Sequence, residues 1–264
     1  MRWLKRIVIG FFIFFISAVL VFIAVASRHY VVPIIMYHRV LPGATFRDSL
    51  VVSIKTFDRQ MRFLKAHRYN VITLEKLADL IRQKKKIPYK TIAITFDDGY
   101  RDNFTNAFPI LKKYELAATA FVIVEEVGDL SKNKLTWGQI KQMRDSGIFE
   151  IGSHALGPEP LVNIKSEEEL ARQIFDSRRL LQERLGGEVN VFSYPEGGFN
   201  QKIRQLVIAA GYKAAAATHP GRDYPDDDIF ALKRLRISEN AGNLFVFWVE
   251  TSGLYNFMKE RRRR

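Results

Sequence analysis

The chain has 264 residues, of which 47% are hydrophobic, so it is long enough to fold as one domain, or at most two, around a sizeable core. It contains no cysteine. Disulfide bonds and a thiol nucleophile are therefore excluded, and stability must come from core packing and from any metal that the protein binds. The formal net charge of +13 is concentrated at the two ends of the chain, in residues 1–6 and 261–264.

Residues 7–26 form an uncharged and strongly apolar segment near the N-terminus. Twenty helical residues are enough to cross about 30 Å of hydrocarbon, so this segment predicts a transmembrane helix. Arg2, Lys5 and Arg6 precede it. Because positive residues beside a first span tend to stay in the cytoplasm, we expect a single-pass membrane protein with a cytoplasmic N-terminus and an extracytoplasmic domain.

Signal cleavage is the alternative, since Ala24, Val25 and Ala26 match the small residues of a cleavage site, and the protein would then be secreted. We expect two parts in the full chain: residues 1–30, a basic stub with the membrane anchor, and residues 31–264, a catalytic domain with a basic C-terminal tail. An exported domain rarely meets nucleic acid, so no nucleic-acid partner is expected for the basic residues.

After the anchor, the sequence alternates between short apolar strands and helices. Strands are predicted at residues 31–40, 71–73, 91–96, 117–124, 150–153, 189–194 and 213–218, and helices at residues 57–67, 74–83, 103–114, 136–147, 166–185 and 201–210. Thr56, Thr136 and Ser166 are the predicted N-caps of three of these helices. The alternation predicts a parallel sheet covered by helices, either an open doubly wound sheet or a closed barrel. About seven units in one α/β domain favour the barrel.

Polar residues follow two of the predicted strands. Asp97 and Asp98 come directly after the strand at 91–96, and His154 follows the strand at 150–153. The carboxyl ends of parallel strands form the ligand-binding face of such folds, so we expect these side chains to lie together. One acid can then bind a cation such as zinc, together with the histidine, while the other stays free as a base. A simple Asp-Asp-Gly turn is the alternative interpretation.

Three motifs in this region resemble those of a known family. They are TFDDGY (residues 95–100), IGSH (residues 151–154) followed by Leu161, and FSYPEGG (residues 192–198), in this order. Together they resemble the leading motifs of the polysaccharide deacetylase family, whose domain is called NodB-type. PIIMYHRV (residues 33–40) and FALKRLRIS (residues 230–238) resemble the flanking segments of one branch of that family.

The resemblance implies a distorted (β/α) barrel that removes N-acetyl groups from amino sugars with a divalent metal, commonly zinc. It implies that Asp97 is the catalytic base and that Asp98 and His154 are metal ligands. A backbone N–H of the loop at residues 194–197 is expected to help hold the oxyanion. The residues implied to line the substrate groove are Tyr100, Tyr194, Pro195, Glu196 and Gly197.

The sequence departs from the family pattern at the metal site. A second histidine is expected four residues after His154, and that position is Pro158, which cannot bind a metal. Glu159 is the neighbouring oxygen donor and is our candidate for the third ligand, with a solvated loop acid as the alternative. Ser193 also stands where many members carry an arginine, and Glu196 stands where an aromatic residue is usual.

The histidine that acts late in the family's sequence as general acid toward the leaving amine has no obvious match. His219 and His38 are the two candidates, because each follows a predicted strand. We expect the protein to be a metal-dependent hydrolase that removes N-acetyl or O-acetyl groups from an envelope polysaccharide such as peptidoglycan or poly-N-acetylglucosamine. The alternative is a catalytically impaired relative that binds glycan or scaffolds an envelope complex.

Overall fold

The computed structural model describes residues 3, 6–7, 9–17, 32–45, 48–218 and 228–253. Within these ranges, parallel strands form a nearly closed barrel of about eight strands. The strands are β1 (Ile34–Tyr37), β2 (Arg39–Leu41), β3 (Val51–Ser53), β4 (Asn70–Ile72), β5 (Thr91–Phe96), β6 (Ala118–Val122), β7 (Phe149–Ser153), β8 (Val191–Ser193), β9 (Ala214–Ala217), β10 (Leu232–Lys233) and β11 (Leu235–Arg236). All pair in parallel, and β2 with β3 forms a separate two-stranded sheet.

The barrel closes through one short segment near the C-terminus. Its first part, β10, pairs with β9, and its second part, β11, pairs with β1. A single run of five residues therefore joins the two edges of the sheet, with Arg234 between the two pairings. Because the strands β10 and β11 belong to one segment, the barrel has about eight strands, close to the seven units predicted.

Helices cover the outside of the barrel. They are α1 (Ile54–Ala66), α2 (Leu74–Arg82), α3 (Phe108–Tyr114), α4 (Trp137–Asp145), α5 (Glu167–Leu185), α6 (Gln201–Ala209) and α7 (Leu244–Thr251), with a π-helical turn at Asn103–Ala107 before α3. The strands are buried because both of their faces are covered, and all six residues of β5 lie in the interior. Continuous apolar strands in the sequence follow from this double burial.

Local capping agrees with two of the three predictions. Thr136 and Gln139 form the predicted capping box of α4, and the Ser166 side chain accepts the backbone N–H of Glu169 at the start of α5. The prediction of Thr56 as an N-cap is wrong. The cap of α1 is Ser53, whose hydroxyl accepts the Thr56 N–H, so the helix begins one turn earlier than the apolar pattern indicated.

Two predicted elements are divided in the structure. The strand at residues 31–40 is interrupted at His38, so that β1 enters the barrel and β2 leaves it to pair with β3. The helix at residues 103–114 begins with the π-helical turn, where the buried Asn103 side chain donates to the His38 carbonyl oxygen. Such π turns often accompany functional sites, and this one lies beside the end of β1.

Half of the predicted membrane anchor, residues 8 and 18–26, lies outside the described residues, and residues 9–17 are helical. Among the helices that the structure describes, none combines the length and the apolar character that crossing a membrane requires. The basic tail at residues 261–264 and His219 also lie outside the described residues. The anchor, the tail and the role of His219 therefore remain predictions.

Candidate active site

The predicted acids and the predicted histidine meet at the carboxyl ends of the central strands. Asp97 and Asp98 follow β5, and His154 follows β7, with β6 between them. The His154 Nε2 atom lies 3.4 Å from Asp98 Oδ1 and 4.0 Å from Asp97 Oδ2. All three groups are largely buried, so they form a compact centre at the face where ligands bind in parallel α/β folds.

Two adjacent acids reach the same centre because the backbone turns between them. Successive side chains of an extended strand point to opposite faces, so a regular strand would separate the two carboxylates. Asp97 still continues the strand, and its N–H donates to the Tyr37 carbonyl oxygen. Asp98 adopts a left-handed conformation with φ of 68°, which aspartate tolerates better than most residues. This turn redirects the second carboxylate toward His154.

Lys134 holds the turned segment in place. Its Nζ donates to the Asp98 carbonyl oxygen over 2.8 Å and also pairs with Glu126 at 2.8 Å. The Lys134 side chain is buried, so the hydrogen bond is shielded from water. Sequence reasoning missed this residue, because nothing in the segment before α4 signals a contact with the strand end at Asp98.

The His154 ring has one defined tautomer in the neutral form. Its Nδ1 lies 2.8 Å from the carbonyl oxygen of Ser193, which only accepts hydrogen bonds, so Nδ1 carries the proton. Nε2 then faces the two carboxylates. Burial alone would lower the pKa of His154, but Asp97 and Asp98 raise it above its ordinary value. Asp98 is affected in turn, because its burial, which would raise its pKa, is outweighed by the hydrogen bond and charge of His154, and the pKa falls to about 2.

Arg234 is the main functional residue that the sequence analysis missed. Its side chain is fully buried and makes a bidentate contact with Asp97, with Nη1–Oδ1 at 2.6 Å and Nη2–Oδ2 at 2.7 Å. Burial would raise the pKa of Asp97, but this guanidinium holds it below its ordinary value. Nη2 also donates to the Ser193 hydroxyl at 2.8 Å.

The contact between Arg234 and Ser193 explains one departure from the family pattern. The small serine side chain leaves room for a guanidinium that comes from the closing segment of the barrel. The only sequence signal was a pair of cations, Lys233 and Arg234, between Leu232 and Leu235, in a flank that resembles the family. The guanidinium that contacts Asp97 therefore comes from the segment that contains β10 and β11, and not from position 193, where many family members carry an arginine.

His38 lies in the electrostatic field of the same centre. Burial lowers its pKa, and the carboxylates of Asp97 and Asp98 oppose this effect. Its Nδ1 atom is buried and has no hydrogen-bond partner among the described residues. Of the two candidate general acids, His38 is therefore the one that the described structure places near the acids.

Two donor atoms, His154 Nε2 and Asp98 Oδ1, are spaced as two ligands of one divalent ion. Zinc binds nitrogen and oxygen at about 2.0–2.2 Å, and two tetrahedral ligands at that distance lie about 3.3–3.5 Å apart. The separation of 3.4 Å between His154 Nε2 and Asp98 Oδ1 agrees with this geometry. The predicted third donor does not join them, because Glu159 is exposed, as is Pro158. Within the described ranges, no set of three histidine or acid side chains is arranged around one ion.

The loop after β8 offers backbone groups, rather than side chains, to the candidate active site. Tyr194 is fully buried, its hydroxyl donates to the Phe230 carbonyl oxygen, and its ring stacks on Phe199. The Tyr194 ring is therefore not exposed to a sugar in this structure, and a role of this loop in binding substrate stays a prediction. Pro195 and Gly197 are also buried, whereas Glu196 is exposed.

Gly197 has a steric reason to be glycine. Its φ is +74°, and an added Cβ would lie 2.5 Å from the Thr218 backbone nitrogen.

Tyr100 directly follows the acid motif Asp97-Asp98-Gly99 and is partly exposed. Its ring contacts two cations, Lys134 Nζ at 4.2 Å and Arg39 Cζ at 4.8 Å from the ring centre. A role of Tyr100 in binding sugar stays a prediction.

Comparison with known proteins identifies the family of this chain. A family model described as polysaccharide deacetylase matches residues 84–215. The Bacillus subtilis (strain 168) protein YxkH, named after the same family, is 33% identical over 220 residues, which are 83% of this chain and 76% of YxkH. The chain belongs to the polysaccharide deacetylase family. The family interpretation of the three motifs is thereby confirmed.

Two further proteins define the similarity. The poly-beta-1,6-N-acetyl-D-glucosamine N-deacetylase of Staphylococcus aureus (strain MSSA476) is 27% identical over 203 residues, covering 72% of this chain and 69% of that protein. The solved Streptococcus pyogenes deacetylase PplD, in complex with acetate, superposes with a TM-score of 0.72 at 27% identity. The match covers 81% of this chain and 96% of PplD, so the two proteins share the barrel fold.

Proposed function

We propose that this polysaccharide deacetylase family member hydrolyses N-acetyl groups on a poly-N-acetylglucosamine chain of the cell envelope. The observation that carries the proposal is the meeting of His154 with Asp97 and Asp98, within 4.0 Å, at the carboxyl ends of the barrel strands. The choice of polymer rests on the relative named for poly-beta-1,6-N-acetyl-D-glucosamine. Extracytoplasmic placement, through the predicted span at residues 7–26, is part of the proposal.

Asp98 and His154 are the side chains that would hold a divalent metal, probed most simply as zinc. When bound there, such an ion supplies Lewis-acid polarisation of the acetyl carbonyl and acidifies water. The imidazole contributes through Nε2, because Nδ1 is committed to the Ser193 carbonyl oxygen. A water molecule or the substrate would complete the remaining positions, since Glu159 lies outside this group.

Asp97 is the proposed general base. Both of its oxygens contact Arg234, but each carboxylate oxygen can accept a second hydrogen bond, which leaves a site for the attacking water. Arg234 keeps the carboxylate ionised and oriented before the reaction. The water oxygen would attack the acetyl carbonyl carbon while Asp97 takes a water proton, which gives the tetrahedral intermediate. Cleavage of the C–N bond then releases acetate and a free amine, and the leaving nitrogen requires a proton.

His38 is the proposed donor of that proton. It is partly buried near the two acids, and its buried Nδ1 atom has no hydrogen-bond partner among the described residues. For the oxyanion we propose the backbone N–H of Glu196. In the loop after β8, Tyr194 and Gly197 use their N–H groups within the protein and Pro195 has none. The exposed Glu196 is then the residue whose N–H remains for a ligand.

The test is acetate release from a β-1,6-linked N-acetylglucosamine oligomer by the full chain, with and without added zinc or cobalt. We expect release that depends on the metal and falls by at least about a hundredfold in Asp98→Asn, because the variant loses an anionic ligand. Asp145→Asn, which changes an exposed acid on α4, is the matched control and should keep the activity. Equal release by wild type and Asp98→Asn would reject the proposed site.

A second function is favoured by one observation, the exposed Pro158 at the position of the missing metal ligand. A chain with only two protein ligands would bind metal weakly and serve as a glycan-binding or scaffolding protein. The two functions differ in what is measured on the purified protein. Retention of the oligomer without acetate release, at zinc concentrations that load other members of the family, would support the second function.

A further inference from the structure

The C-terminal helix α7 is apolar on nearly every side but is only partly covered by the barrel. Its sequence is LFVFWVET, and among its residues only Phe247 and Thr251 are buried. Phe245 is 68% exposed, Trp248 is 44% exposed and Val246 is 37% exposed. A soluble surface helix normally presents polar residues on its outer face, so this face is unusual and calls for a partner.

The end of α7 lies at the amino-terminal face of the barrel, opposite the candidate active site. Thr251 Oγ1 lies 3.4 Å from the hydroxyl of Tyr69, a residue that directly precedes β4. Strand β1 also begins at this face, at Ile34, so the chain arriving from residues 7–26 enters the barrel here. The C-terminal end of α7 and the start of β1, which the predicted anchor precedes in sequence, therefore lie at one face, while the acids and His154 occupy the other.

The sequence beyond the described helix adds positive charge. Residues 254–264 read LYNFMKERRRR, with one acid against five cations and two aromatic residues. Exposed aromatic and aliphatic side chains followed by clustered cations are the composition of segments that bind the surface of anionic membranes. Tryptophan in particular prefers the boundary between headgroups and acyl chains.

We propose that α7 and the basic tail dock on an anionic lipid bilayer and hold the amino-terminal face of the barrel against it. The exposed rings of Phe245 and Trp248 would enter the interface, and Arg261–Arg264 would pair with lipid phosphates. A soluble polyanion would use the arginines but leave the apolar face uncovered, so the observations favour a bilayer. The docking is independent of the proposed hydrolysis and directs the candidate active site away from the membrane.

The test uses the full chain reconstituted in phosphatidylcholine vesicles, with or without phosphatidylglycerol, whose acyl chains carry bromine as a fluorescence quencher. Trp3→Phe removes the tryptophan beside the predicted span and leaves Trp137 and Trp248. Trp137 starts α4 at the opposite face of the barrel, so it should stay unquenched. We expect quenching in the anionic vesicles, nearly all of it lost when Trp248→Phe is added.

Two variants separate lipid docking from simple charge attraction. Phe245→Ser should weaken the quenching of Trp248, whereas Phe175→Ser, a matched change of a partly exposed phenylalanine on α5, should not. Replacing Arg261–Arg264 by glutamine should reduce quenching most at low salt. The proposal is overturned if Trp248 is quenched equally in neutral and anionic vesicles, or is not quenched at all. It is also overturned if Phe245→Ser has no effect while soluble dextran sulfate competes fully for the tail.

Discussion

At the scale of single residues, the site depends on one backbone conformation and one buried cation. The left-handed Asp98 brings two neighbouring carboxylates to one centre, and Arg234 separates their electrostatic roles. Asp97 is fixed by the guanidinium, while Asp98 faces the imidazole of His154. Each acid therefore has its own partner, which is how adjacent identical side chains can perform different chemistry.

Arg234→Met should impair both stability and activity. The change leaves the buried Asp97 carboxylate without its counter-ion, which typically costs about 3–5 kcal/mol of unfolding free energy. The pKa of Asp97 should rise, because burial would then act unopposed. We expect acetate release to fall by about 10²-fold or more at neutral pH, with the decline smallest at high pH, where the acid ionises again.

A double variant tests this explanation. Arg234→Met combined with Asp97→Asn removes both charges, so urea unfolding should show part of the lost stability restored while activity stays absent. If the single variant Arg234→Met unfolds at the same urea concentration as the wild type, the two groups do not form the buried pair described above.

Pro158→His is expected to tighten metal binding. The substitution offers an imidazole four residues after His154, where the family places its second histidine ligand. Zinc affinity should rise by at least about tenfold, since a third protein ligand is added to a site that has two. Metal titration with a competing chelator measures it. The matched variant Glu159→His places the ring one residue further on and should give a smaller gain, and an equal gain from both would argue against the spacing.

At the scale of elements, sequence patterns predicted most helices and strands but not where they are interrupted. Caps such as Thr136 are local, so their hydrogen bonds follow from residues three positions apart. The break at His38 depends instead on β2 leaving the barrel to pair with β3, a contact between distant segments. Local patterns carry no signal for such a contact.

The candidate site likewise combines residues of local motifs with a contact from a distant segment. Asp97, Asp98 and His154 could be predicted because each directly ends or follows a strand in a recognisable motif. Arg234 could not, since it meets Asp97 from 137 residues away in the sequence. Only the pairing of β10 and β11 with opposite edges of the sheet decides that this cation points at Asp97.

Thr136→Ala should destabilise the protein through the start of α4. The threonine hydroxyl accepts the Gln139 N–H, and the Gln139 side chain accepts the Thr136 N–H. Losing one side of this capping box should lower the unfolding free energy by about 1 kcal/mol. Urea denaturation of Thr136→Ser, which keeps the hydroxyl, serves as the control and should show a much smaller change. A loss confined to activity would contradict a purely local role.

At the scale of the whole molecule, the two faces of the barrel carry different buried charges. Glu150 on β7 lies toward the amino-terminal face, where its carboxylate accepts the Thr119 hydroxyl at 2.7 Å and the Glu75 N–H at 3.3 Å. Burial, assisted by the charge of Glu75, raises its pKa to about 7 despite these hydrogen bonds. The protein therefore contains an acid that titrates near neutrality far from the catalytic centre.

This acid should make stability depend on pH. Between its ordinary pKa of 4.5 and about 7, folded Glu150 keeps a proton that the unfolded chain has released, so the unfolding free energy falls as pH rises through this window. Glu150→Gln should remove the decline and exceed the wild type at pH 8 by up to about 3 kcal/mol. Urea unfolding at pH 5 and pH 8 measures it, with the exposed Glu188→Gln as control. Parallel pH profiles for wild type and Glu150→Gln would contradict the shift.

The closing segment of the barrel has a consequence for how the protein matures. The guanidinium of Arg234 can reach Asp97 only after β10 and β11 have joined the two edges of the sheet. During synthesis, a chain whose last few dozen residues have not yet been added carries the acid motif without its counter-ion. Activity would then appear late and in a single step, so a nascent or truncated chain should be inactive until β10 and β11 have closed the barrel.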